Sequence, residues 1–511
     1  MATQARAIRE IKLTNTLSGK RELLETLIPG KLTMYSCGPT VYDFIHIGNL
    51  RGGLVSDLFF RYFKRVGYDV TYVRNYTDVD DKIIKRAIQE KIGSDEVALK
   101  YIGEVERDYA ASHMLEPTHK TTVTGHMHEI IAMIEQIIAS GKAYVIDSGE
   151  VLFAIEKADH YGKLSHKNVE DMQAGMRVEI NTKKKNPLDF ALWKPAKPGE
   201  PFWESPWGKG RPGWHIECSA MAAKWLGNKI DVHHGGMDLV FPHHENEIAQ
   251  TEAASGEEPF SRYWLHHAML TMSNEKMSKS LGNVFKAREF LTRFGGEVTR
   301  YLLLSVHYRS IIDFNEETIE HALQGLHRLY EAKANALEMS KQSRARSDLR
   351  AEAVWGEFVA SCEATRKEID DAYANDFNTA GALGSLFTLI RAFNRASAEP
   401  LARATPSAVL GAEELIKVIE EEIGSVIGVG RLDPRKALED ISRIREGIRA
   451  QKTQATGGSL ITESEIAALI SERIEARKAK NFVRGDEIRK ELDSKGVAIK
   501  DSGTMTTWEY K

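Results

Sequence analysis

Along the first third of the chain, apolar positions recur at two alternating periods. Lys31–Ser36 (KLTMYS) reads as a short strand ending at the Cys37-Gly38-Pro39 turn. Over residues 50–66, Leu54, Leu58, Phe59 and Tyr62 fall at helical spacing, and residues 69–74 (DVTYVR) read as the next strand. A strand, loop, helix, strand succession predicts an α/β fold with a doubly wound, Rossmann-like parallel sheet. Ligands in such sheets bind at the carboxyl ends of the strands, where Cys37, the loop at His46 and Thr77-Asp78 would converge.

The pattern changes over residues 116–212. A helix is expected at 126–140, then a hairpin through Tyr144-Val145 and Val151-Leu152-Phe153, then a stretch rich in Lys, Pro and Trp. Sheet character returns at Ile230-Asp231-Val232-His233, before a helix opened by Pro242 or His243 and running through Glu252. The sheet-bearing domain is therefore predicted to be split, with 1–115 and 213–260 forming the sheet and 116–212 a connective insertion. A stem region is expected at 261–315. Residues 316–450 are helical in period and strand-poor, with Leu383, Leu386, Phe387 and Ile390 marking one apolar face of a helical bundle. Residues 340–348 and 451–460 are polar and flexible in composition, and the second sets off a small final domain at 461–511. No internal repeat or sustained heptad array is present.

Composition narrows the class. At about 150 residues per domain, 511 residues correspond to roughly three domains or a few more. Hydrophobic residues at 42% and charged residues at 28% make an ordinary globular balance. The first twenty residues contain no apolar signal region, and no stretch reaches about eighteen apolar residues, so a soluble cytoplasmic protein with no membrane partner is expected. Three cysteines, Cys37, Cys218 and Cys362, are too few for a disulfide framework. A net charge of -4 confines any RNA contact to local basic surfaces.

Two distant segments carry chemistry. One reads Lys276-Met277-Ser278-Lys279-Ser280; the other reads His46-Ile47-Gly48-Asn49, just after Pro39-Thr40-Val41-Tyr42. Cationic and polar groups far apart in sequence can close on one triphosphate, whose developing charge needs donors on both faces of the phosphorus. A lysine-rich pentapeptide alone is usually a solvated surface, and Met339-Ser340-Lys341 is such a decoy. The copy at 276–280 differs in being followed by a Gly282-Asn283 turn and preceded by WLHHAMLTMSNE. The pair resembles the signatures of class I aminoacyl-tRNA synthetases. The segments CGPTVYDFIHIGNLR, YVRNYTDVDDKIIKRA, SPWGKGRPGWHIECSAM, FPHHENEIAQ and EKMSKSLGN resemble, in order and spacing, those of the cysteinyl-tRNA synthetase family. The likeness spans about residues 32–314 and returns in Asp376-Phe377-Asn378-Thr379-Ala380 and in the last fifty residues.

Cys37 and Cys218 can supply thiolates, and His243 and Glu247, four apart, share a helix face. Two sulfurs, one nitrogen and one oxygen suit tetrahedral zinc, although isolated cysteines are more often small buried hydrophobes. The resemblance implies that these four residues hold one zinc ion per chain and that the metal binds the thiolate of substrate cysteine. Such a choice rejects serine, a near-isostere that pocket contacts separate by only about two orders of magnitude. The resemblance also implies that His46 points a donor at the ATP phosphates, that Gly48 lets adenine approach the backbone, and that Lys279, assisted by Lys276, neutralises charge as pyrophosphate leaves. Mg2+ would arrive with ATP. Asn49 departs from the usual HIGH ending; its amide donates a neutral hydrogen bond, with an expected loss of about 1 to 2 kcal/mol if that bond is weakened.

Thr77 and Trp214 are expected to shape the cysteine pocket, and His215, His233, His234 and His244 to donate to substrate or to pack. The GxGxxG at 208–213 lacks the preceding central strand that a dinucleotide site needs. In the final domain Arg473, Arg477, Lys480 and Arg484 are expected along one helix face opposite Ile466, Leu469 and Ile470, a stripe that could track phosphates. The resemblance implies anticodon recognition there, with Trp508 a stacking residue. The expected activity is ATP-dependent attachment of L-cysteine to tRNA-Cys through a cysteinyl adenylate, by a monomer. Two rivals share parts of the pattern: a cysteine ligase acting on a small amino sugar, as in mycothiol formation, and a non-catalytic tRNA-binding paralogue.

Overall fold

The computed structural model describes residues 9–168, 184–272, 275–276, 285–341, 349–398, 405–456, 463–479, 481–495, 497–502 and 505–510. It divides into two compact units, residues 1–437 and 438–511.

The first unit is built on the expected parallel sheet. Strand β3 (Lys31–Ser36) lies at its centre, and α1 (Ile47–Arg65) carries the chain to β4 (Asp69–Tyr76). A short antiparallel ribbon, β1 (Lys12–Asn15) with β2 (Lys20–Leu23), precedes it. Helices α2 (Asp81–Glu90) and α3 (Ser94–Ala111) lead to β5 (His119–Thr122). After an excursion the chain re-enters as β10 (Ile230–Gly236) and β11 (Ser261–His267), giving the order β11-β10-β3-β4-β5, parallel throughout. The near-continuous burial of β10 reflects cover on both faces.

The excursion comprises α4 (Met127–Ala139) and a four-stranded antiparallel sheet, β6 (Ala143–Val145), β7 (Val151–Phe153), β8 (Phe190–Pro195) and β9 (Gly210–Pro212). It shares a core with the parallel sheet, since Val151, Phe153 and Trp193 join Tyr35, Cys218 and Trp264 in one buried cluster. The GxGxxG glycines fall on and around β9, in antiparallel pairing with β8.

Helices α5 (Ile216–Leu226) and α6 (Glu245–Ser255) flank the re-entered strands. Beyond β11, β12 (Leu270–Met272) pairs with β13 (Glu275–Lys276) and with β14 (Ile312–Phe314), and α7 (Ala287–Leu304) lies between them in sequence. Helices α8 (Glu316–Ser340), α9 (Leu349–Ala374), α10 (Thr379–Ala396) and α11 (Pro406–Lys417) then form a helical array. Among the described residues, no helix is long and apolar enough to cross a membrane.

The second unit begins inside α12 (Pro434–Thr456). This helix extends into the stretch read as a linker, because QKTQAT holds no breaker before Gly457. Beyond it α13 (Glu463–Lys478), α14 (Phe482–Ser494) and the hairpin of β15 (Val497–Ser502) with β16 (Met505–Tyr510) enclose Ile466, Ile470, Ile488, Leu492, Val497 and Ile499. Trp508 packs against this core. The cationic stripe does not form. Arg473 is buried, and Arg484 lies on the next helix, where Glu472 and Glu487 accept from it at 2.9 and 3.3 Å. Asn481 starts that helix by capping the Arg484 N–H, which interrupts the periodicity that the stripe assumed. Lys480 lies outside the described residues.

Candidate active site and metal cluster

Loops at the carboxyl ends of β3 and β4 are tied together. The Thr77 N–H donates to the Pro39 carbonyl and the Val41 N–H to the Thr77 carbonyl. Gly38 is required where these loops meet, since a Cβ there would lie 1.7 Å from the Asn75 carbonyl oxygen. Cys37 is set just beyond β3, with its N–H donating to His234 of β10. Cys218 projects from the first turns of α5, and a wide turn over Val240–His244 leads into α6, placing His243 and Glu247 one above the other.

These four side chains meet. Each offers one donor atom, and all four atoms lie within 4.8 Å of one another. The two sulfurs are 3.8 Å apart, Cys37 Sγ is 3.4 Å from Glu247 Oε1, and His243 Nε2 is 3.1 Å from the same oxygen. A second set, Cys37, His233, His244 and Glu247, overlaps the first. Such a donor set is compatible with a metal site.

Electrostatics favour cation binding. Burial resists ionisation of Glu247, but His233 and His243 hold its carboxyl down at about 2. Burial opposes charge on His243 too, yet Glu247 and Cys218 push it up to about 10. A hydrogen bond from Cys37 lowers the Cys218 thiol, while burial raises Cys37. A metal held by these four residues would take the place of protons in balancing the charge of Glu247 and Cys218.

The surrounding histidines orient the cluster. His233 Nε2 lies 2.8 Å from Glu247 Oε2, and its ring stacks on Trp264 at 4.3 Å. His244 Nε2 lies 3.4 Å from Cys37 Sγ, and its Nδ1 is 2.8 Å from His266 Nε2. His266 Nδ1 in turn meets Thr16 Oγ1 at 2.8 Å. His234 instead turns to the other face of β10, toward Ser56 and His267. His215 pairs with His243 at 2.9 Å. Sequence reasoning missed His266 and Thr16; the signal was the register of two His-His pairs, His233-His234 and His266-His267, on neighbouring parallel strands. Gly235→Ala is expected to disturb this arrangement, because its Cβ would lie 2.4 Å from His244 Cε1. Metal affinity, measured by competition with a chromogenic chelator, should fall about 10- to 100-fold, the range for lost orienting contacts.

Trp214 remains 41% exposed, with its ring 4.4 Å from His243. Thr77 is buried beside Glu217. Helix α1 opens at His46, whose Nδ1 accepts the Asn49 N–H at 3.2 Å while Asn49 Oδ1 accepts the His46 N–H at 3.2 Å. Asn49 thus closes a reciprocal cap, a role that reading it only as an altered signature residue overlooked. Gly48 sits in the first turn, with no acidic residue beside it to repel an anion. Lys276 is placed by its pairing with Thr271. Lys279 lies outside the described residues.

A parallel sheet whose strand ends gather a helix-opening signature and a thiolate cluster is the layout of a class I tRNA synthetase, and residues 23–324 match the family described as tRNA synthetases class I (C) catalytic domain. Residues 368–429 match the DALR domain. The curated relatives narrow this: cysteine–tRNA ligases of Geobacter metallireducens and Maridesulfovibrio salexigens are 46% and 44% identical, each aligned over 98% of this chain and over 100% and 99% of their own lengths. The chain belongs to the cysteine–tRNA ligase family. Its fold is also similar to that of Mycobacterium tuberculosis methionyl-tRNA synthetase in complex with methionyl-adenylate, with a TM-score of 0.60 at 14% identity, covering 80% of this chain and 93% of that one.

Proposed function

We propose that this chain attaches L-cysteine to tRNA-Cys in two steps. The cysteine carboxylate attacks the α-phosphorus of ATP, releasing pyrophosphate, and a terminal ribose hydroxyl of the tRNA then takes the acyl group and releases AMP. The observation that carries this reading is the meeting of Cys37, Cys218, His243 and Glu247 at the carboxyl ends of the sheet that also holds the His46 helix start.

One zinc ion suits the cluster. Arms of about 2.3 Å give a tetrahedron with edges of about 3.8 Å, and the Cys37 and Cys218 sulfurs are 3.8 Å apart. Zinc held by these four residues supplies a soft Lewis-acidic centre for the substrate thiolate, which a serine hydroxyl satisfies poorly. His233 and His244 hold Glu247 and Cys37 in position for it. Trp214 and Thr77 border the space left for the amino acid. His46 and the start of α1 face the phosphates, Gly48 gives adenine room, and Lys276 and Lys279 take the charge of the departing pyrophosphate. Mg2+ enters on the nucleotide. Asn49 keeps the helix start in shape.

The domain plan is a sheet at 1–115 and 213–260, an insertion at 116–212, a stem at 261–315, helices at 316–450 and an anticodon-reading domain at 461–511. The protein works as a cytoplasmic monomer. A chain truncated after Ala450 should retain cysteine-dependent pyrophosphate exchange within about twofold while losing at least about tenfold in tRNA charging, the equivalent of one modest contact surface. Loss of both activities would refute that division.

The direct test is transfer of labelled cysteine, with serine as control, to a tRNA-Cys transcript in the presence of ATP and Mg2+. Cysteine-only charging is expected. Exchange without charging would shift the reading to a small amino acceptor, and absence of both would overturn it.

A further inference from the structure

The segment that follows 277–284 returns to the start of α1 as a short antiparallel join. The Ile47 N–H donates to the Phe285 carbonyl at 3.0 Å, and the Ala287 N–H to the Ile45 carbonyl at 2.8 Å. His46 and Lys286 therefore stand directly opposite one another. Residues so paired project to the same face, with Cβ atoms about 4.5–5.5 Å apart, so the Lys286 side chain leaves the backbone alongside the His46 imidazole. We propose that Lys286 is an additional ATP-phosphate-binding residue, supplying beside His46 the positive charge that Asn49 lacks. The proposal rests on the assignment of His46 to the phosphates.

Four observations favour Lys286 over its neighbours. Its ammonium lies 5.5 Å from the centroid of Phe44, two residues before His46, and its carboxylate neighbour Glu289 is 3.9 Å away with both side chains largely solvated. A solvated pair of that kind holds a lysine weakly and lets it turn to a stronger anion. Arg288, the other cation against Phe44, is occupied: Asp108 accepts from its Nε, and Glu104 accepts from its Nη2 at 2.8 Å. Asn49 brings no charge, and its oxygen is engaged by the His46 N–H. The first turn of α1 holds no acidic side chain to oppose a phosphate. A flexible ammonium across the join from His46 can act as a mobile counter-charge for the triphosphate.

The test is an equilibrium titration of Mg-ATP into the full chain, alongside ATP- and cysteine-dependence of pyrophosphate exchange. Lys286→Met should weaken ATP binding about five- to tenfold, the effect of one charge-assisted contact to phosphate, with cysteine KM and the thermal midpoint unchanged. Lys286→Arg should retain most of the affinity. The proposal is overturned if Lys286→Met changes ATP affinity by less than about twofold, or if cysteine KM rises in parallel. Because ATP affinity is read directly, a parent chain that binds ATP but shows no cysteine-dependent exchange would sink the synthetase reading while still judging Lys286.

Discussion

A Cys218→Ser chain is expected to lose the zinc proposed for the cluster and most of its cysteine activation while keeping its fold. A four-ligand zinc site is worth about 10–16 kcal/mol, so one ligand's share is about 3 kcal/mol, or about two orders of magnitude in affinity. Serine preserves the size of the side chain at this buried position but offers a hydroxyl that binds zinc poorly. The remaining Cys37, His243 and Glu247 then form a three-donor set, and His244, 3.4 Å from Cys37, is the nearest replacement. Metal content after dialysis and cysteine-dependent pyrophosphate exchange should fall together, each by about 100-fold or more, and added zinc should restore part of the exchange. A variant with full metal occupancy and unchanged cysteine KM would remove Cys218 from the ligand set. Discrimination against serine should erode in the zinc-restored variant, as the proposed selection of sulfur by the metal requires.

Asp57→Ala should destabilise the sheet-bearing unit by about 3–5 kcal/mol, the cost of leaving buried cations without their partner. Asp57 Oδ2 accepts from Arg61 at 2.7 Å and from Arg300 at 2.6 Å, and its Oδ1 accepts the Leu115 N–H at 2.8 Å. All three side chains are buried. Burial pulls the Arg300 guanidinium down from its ordinary value, and Asp57 is the leading influence that holds it up. Arg300 also donates to the carbonyls of Ile427 and Ser112 at 2.8 and 3.0 Å. One carboxylate therefore joins α1, the end of α3, α7 and the turn beyond α11. Denaturant unfolding followed by tryptophan fluorescence should show the loss, with Asp57→Asn falling between wild type and alanine because it keeps the shape and gives up the charge. If alanine costs less than about 1 kcal/mol, the cluster is not a structural joint.

Local periodicity made β3, α1 and β4 readable, because residues 31–76 alternate cleanly between strand and helix spacing. The i,i+4 relation of His243 and Glu247 was readable for the same reason. Meeting Cys37 with Cys218 was not: nothing local in either segment encodes a distance set by the pairing of β10 with β3. Likeness to a known family provided that pairing in advance. Tertiary contacts also explain the misses. The stripe through Arg473 assumed one continuous helix, whereas a break capped by Asn481 folds Arg484 back onto Glu472. Asn49 reads from the sequence as a missing charge, and its capping role was not legible there because His is not among the usual N-cap residues. The His46-Lys286 join was invisible because it links positions 240 apart through backbone groups, which carry no residue-type signature.

The dispersal of the four ligands bears on the order in which the protein matures. Cys37 emerges early in synthesis, Cys218 follows after the whole excursion, and His243 and Glu247 come only with β10 and α6. A nascent chain that has passed Cys218 but not reached Ile230 presents two thiols and no completed site, with β3 still lacking its β10 neighbour. Pairing those strands closes a loop of nearly two hundred residues, a slow, entropically expensive step that must precede completion of the proposed zinc site. Loading of the proposed zinc should accordingly be a late event at an already finished sheet, so metal-free chains are expected to reach the folded state and take up zinc afterwards.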